Sequence, residues 1–125
     1  MGMTAVLVNL EHTQNEFIAT GTITLSGNYG TSGSPLPHGD TLDMSQMGVP
    51  TQAIPYSVEA WSTVTAGSAP VIDRYDFLPG TTQANGILQC ATAGSEITPG
   101  ATYASTAPFN ATGYKLNFRA WFKAL

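Results

Sequence analysis

Charge is what this chain has least of. Four basic and eight acidic residues in 125 make it 10% charged, where an ordinary soluble domain carries roughly 25%. The basic residues, Arg74, Lys115, Arg119 and Lys123, leave a net charge of -4. A phosphate backbone is gripped by clustered Lys and Arg, so nucleic acid is not an expected partner. Cysteine is nearly absent: a lone Cys90 cannot close an internal disulfide, so core burial must hold the fold, and Cys90 reads as a small buried hydrophobe. No apolar run approaches the roughly 20 residues of a membrane-spanning helix, so no membrane is expected as partner. The opening Met1-Gly2-Met3-Thr4 lacks the charged and apolar regions of a secretory signal, which gives the expectation of synthesis in a host cytoplasm. Helical periodicity is missing too. No stretch of ten residues spaces its apolar positions by three and four, and Pro and Gly recur too often for a long helix.

What is present is 42% hydrophobic residues, with Thr, Ser, Asn and Gln filling the polar positions. Disordered chains combine low hydrophobicity with high net charge, so this one folds. Its length suits one domain, 1–125. A neutral, hydroxyl-rich surface lacks the charge that keeps proteins apart in solution, which implies that much of it is covered in a permanent assembly.

Alternation of period two marks the strands. From Asn15 to Gly27, Phe17, Ala19, Gly21, Ile23 and Leu25 share one face. The run Ala5 to Leu10 either pairs with that strand or reaches to a neighbour as an N-terminal arm over 1–14. Residues 28–55 are rich in Gly, Ser and Pro and read as a long loop with a short strand at Thr41 to Met44. Further strands are expected at Tyr56 to Thr63, with Tyr56, Val58 and Ala60 on one face and Trp61 on the polar one, at Val71 to Leu78, at Ile87 to Thr92 and at Glu96-Ile97. The last strand is the clearest, with Tyr114, Leu116, Phe118, Ala120 and Phe122 alternating with Lys115, Asn117, Arg119, Trp121 and Lys123. Seven to eight short strands without βα alternation predict an all-β fold, an antiparallel β-sandwich or a small jelly-roll-like barrel with little helix.

Chemistry is sparsely signalled. His38, Asp40 and Asp43 could hold a metal, but zinc sites show paired His or Cys and calcium loops need more oxygen ligands, so they read as turn and strand-start residues. Glu11-His12 and the pair Asp73 and Asp76 read as surface charges. The serines lack a nucleophile elbow and no phosphate-binding glycine loop is present. Asn110-Ala111-Thr112 has the glycosylation pattern but reads as a turn. No catalytic residue, cofactor or metal is assigned, and an enzyme is the class least expected.

Apolar side chains at positions where a monomer would expose them are the better lead: Tyr29, Leu36, Met44, Met47 and Trp61, together with Val6, Leu7 and Val8 of the first run. Aromatic residues and Met are enriched at the centres of interfaces. Trp61 and Tyr29 also fit a rival reading, a carbohydrate- or receptor-binding β-module of a phage tail or fibre or a bacterial surface protein.

Four segments carry a resemblance: Thr20 to Gly27, Pro79 to Gly86, Pro99 to Tyr103 and Leu116 to Lys123. In their order and their Thr, Gly and Ala content they resemble the capsid decoration, or cement, proteins of tailed bacteriophages. The resemblance implies a structural virion protein, made in the host cytoplasm and seated on the capsid surface. It would be a homotrimer whose partner is the major capsid protein lattice. Met3 to Glu16 and Asn28 to Pro55 are expected to make the contacts, and removal of residues 1–12 to leave the domain folded.

Overall fold

The computed structural model describes residues 3–30, 39–62, 73–92, 95–97, 101–103 and 114–123. Among these described residues eight strands follow one another: β1 (Met3–His12), β2 (Glu16–Leu25), β3 (Asp40–Leu42), β4 (Pro55–Ser62), β5 (Asp73–Leu78), β6 (Gly86–Thr92), β7 (Ser95–Glu96) and β8 (Tyr114–Lys123). There is no α-helix among the described residues. The fold is all-β, as the alternation predicts, with two antiparallel sheets packed as a sandwich.

One sheet runs β1-β2-β8-β4 and the other β3-β6-β5, with β7 also paired to β6. β4 lies beside β5 and β1 beside β3, but no strand ladder joins the sheets among the described residues, so the sandwich does not close into a barrel. The central ladder is the long β2–β8 pair, in unbroken register from Glu16 opposite Lys123 to Leu25 opposite Tyr114. Both strands bury alternate residues, because each Cβ points to the face opposite its neighbour's. Ala19, Ile23 and Leu25 thus meet Leu116, Phe118, Ala120 and Phe122 in a core completed by Leu42, Val58, Leu88 and Cys90. Each large side chain so buried is worth about 1.5–3 kcal/mol.

The run preceding β2 is a strand and not an arm. β1 pairs with β2 from Met3 opposite Leu25 to His12 opposite Phe17, Met3 is buried, and Ala5, Leu7 and Leu10 pack against the core. The tight turn is fastened by Thr13, whose N–H donates to the Glu16 carbonyl at 2.8 Å and whose hydroxyl accepts from the Glu16 N–H at 3.1 Å. β1 approaches so closely that a Cβ at Gly21 would lie 2.0 Å from the Val6 carbonyl oxygen and 2.9 Å from Phe118 Cε2.

Both edge strands of this sheet are bulged. On β1, Leu7 faces Gly21 and Asn9 faces Thr20, leaving Val8 as the extra residue. On β4, Pro55 faces Phe122 and Ser57 faces Trp121, leaving Tyr56 as the extra one. An inserted residue shifts the alternation by one. Leu7 and Leu10 therefore both turn inward, as do Pro55 and Val58, while Val8 and Tyr56 turn out to solvent. Alternation alone had placed Tyr56 on the face of Val58, and the bulge reverses it.

Candidate functional site

Tyr29, Met44 and Met47, expected to be exposed in a monomer, are all at 0% exposure. Their segments are drawn into the sandwich by backbone and side-chain bonds. The Tyr29 N–H donates to the Ala101 carbonyl at 2.8 Å and the Tyr103 N–H to the Gly27 carbonyl at 3.0 Å, which splices two connecting segments together. The Met44 N–H donates to the Gln83 carbonyl at 2.9 Å. The buried Gln83 amide in turn donates to the carbonyls of Pro50 at 2.8 Å and Ala53 at 2.9 Å, and this holds 44–53 over the core. A buried amide must find partners or lose about 1–3 kcal/mol, and here a folded-in turn supplies them.

Inside that splice lies a polar cluster. The Tyr103 hydroxyl donates to Asp40 Oδ2 at 2.5 Å, and Asp40 Oδ1 accepts from the Gly30 N–H at 2.8 Å. The Tyr29 hydroxyl donates to Glu96 Oε2 at 2.7 Å and accepts from the Cys90 N–H at 3.0 Å. The two rings meet edge to face, 6.1 Å between centroids. Burial holds both phenols well above the ordinary tyrosine value, reinforced at Tyr29 by the bond to Glu96 and at Tyr103 by the Cys90 thiol and the bond to Asp40. Asp40 opens β3, and Asp43 accepts from the Ser45 N–H at 2.8 Å in a turn, which matches their reading as strand-start and turn residues. Each polar partner is satisfied within the chain, so the cluster is a fastening. No group of three or more His, Cys, Asp or Glu residues placed to hold a metal occurs among the described residues.

The surface that remains open is the outer face of the β1-β2-β8-β4 sheet. Register assembles it in rows across the strands. Val6, Thr22, Asn117 and Trp61 are successive partners. The next row is Thr20, Arg119 and Glu59, and the one beyond is Glu11, Ile18, Trp121 and Ser57. Val6 is 51% exposed, Val8 74% and Trp61 44%, so of the seven described candidate residues these three stand in solvent. Leu7 is half-buried with its side chain against the core. Leu36 lies outside the described residues, as do His38 and Asn110 to Thr112.

A shallow hollow of about 260 Å³ crosses the face, bounded by Val8, Thr20, Thr22, Trp61, Asn117 and Arg119. A second, of about 390 Å³, follows the seam between β4 and β5 past Glu59, Trp61, Arg74 and Tyr75, so Trp61 is a ridge reached from two sides. A third, of about 480 Å³, opens at the end of the sheet among Thr13, Asn15, Glu16, Tyr56 and Lys123. There the Tyr56 hydroxyl donates to the Glu16 carboxylate, which holds that phenol above its usual range although it is exposed.

Sequence reading missed Arg119, Asn117 and Thr22 as surface partners of Trp61, although the alternation of β8 and β2 already put them on the outer face. It also missed Gln83 and the Tyr29–Glu96 and Tyr103–Asp40 bonds, for which sequence carries no local signal. Comparison with protein-family models, curated proteins and solved structures returns no match.

Proposed function

We propose that this chain is a structural virion protein that binds the outer surface of a bacteriophage capsid and stabilises the lattice as a homotrimer. The observation that carries the reading is the apolar pair Val6 and Val8, 51% and 74% exposed on an edge strand of a charge-poor domain. Two neighbouring exposed valines on a strand held rigidly by its ladder make a small preformed contact. The bulges at Val8 and Tyr56 disturb the ladder edges that a foreign strand would need. Docking is therefore through side chains, with β1 laid against the lattice, and not by strand addition.

Stabilisation is then mass action. A domain that binds only the expanded lattice lowers the free energy of that state by an amount that grows with the logarithm of its concentration over Kd. Three linked copies convert weak single contacts into tight attachment. The test is co-sedimentation with capsid shells assembled from the major capsid protein of the phage proposed to carry it. The chain is expected to pellet with expanded shells and not with unexpanded ones, and Val8→Lys to remain in the supernatant while its own stability changes by less than about 0.5 kcal/mol. Equal pelleting of the variant would overturn the assignment of β1 as the docking edge.

A further inference from the structure

The chain has four basic residues, and three of them, Lys115, Arg119 and Lys123, project from the exposed side of one strand, β8, four residues apart. At about 3.3 Å per residue, successive cations are roughly 13 Å from one another along the strand. Two tryptophans share that face. Trp61 sits beside Asn117, and Trp121 lies on β8 itself, four residues beyond Asn117, so their backbone positions are roughly 14 Å apart, one strand spacing across and four residues along. Between them stand Arg119 and the neutral hydrogen-bonding side chains Asn117 and Ser57. Arg119 is exposed and faces Glu59 across the ladder, and among the described residues it has no ion pair.

From this arrangement we infer that the β8–β4 half of the open face binds an acidic polysaccharide along β8. Trp61 and Trp121 stack on sugar rings a few residues apart, and Arg119 engages a carboxylate between them. Pyranose rings present flat C–H faces to an indole and hydroxyls to Asn, Ser and Arg, which is the chemistry this face offers. The charge spacing selects among anionic polymers. A nucleic acid strand carries a phosphate at every nucleotide, one per about 3.4 Å of axis in each strand of a duplex, and would set most of its charges against Glu59, Glu16 and Glu11 on the same face. A polysaccharide with one acid in each short repeat matches cations roughly 13 Å apart. The seat runs along β8, two strand spacings or roughly 10 Å from β1, and its test uses the purified chain alone, so its failure is distinguishable from failure of the capsid reading.

Titration of the purified chain with a hyaluronan octasaccharide, followed by tryptophan fluorescence, tests this without any capsid present. The expected result is saturable binding, weakened at least about tenfold in Trp61→Ala, with the variant's fold checked by circular dichroism. Arg119→Gln should remove the preference for the octasaccharide over its carboxyl-reduced form, and added salt should weaken the wild-type complex. Absence of saturable binding, undiminished binding by folded Trp61→Ala, or tighter binding of an oligothymidylate would each overturn the inference.

Discussion

At Gly21, two effects of opposite sign compete. Glycine in a strand interior costs roughly 0.5–1 kcal/mol relative to alanine, so Gly21→Ala would ordinarily stabilise. Here the added Cβ would lie 2.0 Å from the Val6 carbonyl oxygen, and backbone cannot yield as a side-chain tip can. Overpacking costs about 1–3 kcal/mol, and the clash wins: Gly21→Ala should lower the urea midpoint. Tyr103→Phe deprives Asp40 of one of its two donors and should cost about 1–3 kcal/mol. Both buried phenols also set a pH dependence. Their folded-state values are raised above the ordinary one of about 10, so above that pH the unfolded chain releases protons that the folded chain retains. The unfolded state then binds fewer protons, and stability, fully present below about pH 10, falls as pH rises. Urea melts on either side of that pH should show the fall, and Tyr103→Phe should make it shallower.

Individual strands differ in how far sequence revealed them. β2 and β8 were plain because each is half-buried over ten residues, and alternation of that length has one reading. β1 was ambiguous because Val6 and Val8 break its apolar pattern, and a bulge cannot be recognised without the partner strand that counts its residues. The same cause misplaced Tyr56. Tyr29, Met44 and Met47 looked exposed because they sit among Gly, Ser and Pro, yet burial in a connecting segment is decided by what it packs on, here Gln83 and the splice of 27–30 to 101–103. Of the candidate surface, the outward position of Trp61 was legible from periodicity, whereas its row with Asn117, Thr22 and Val6 required the register. The status of β1 as a core strand reverses the expectation for truncation. Removing residues 1–12 takes away buried Met3 and the packed Ala5, Leu7 and Leu10 and bares the backbone of β2. Circular dichroism should show loss of cooperative thermal unfolding, and a folded truncated domain would contradict the role given to β1.

At the scale of the whole molecule, the described residues form a sandwich whose buried polar side chains all have partners and whose distinctive features lie on one open sheet face. Its two edges are bulged, its apolar side chains stand at β1, and its cations line β8. On the function proposed above, the domain works as an assembled trimer. Light scattering coupled to size exclusion reads the particle mass against the 13.1 kDa of one chain. A mass three times that of the chain is the predicted result, and a particle of single-chain mass at every concentration would contradict it.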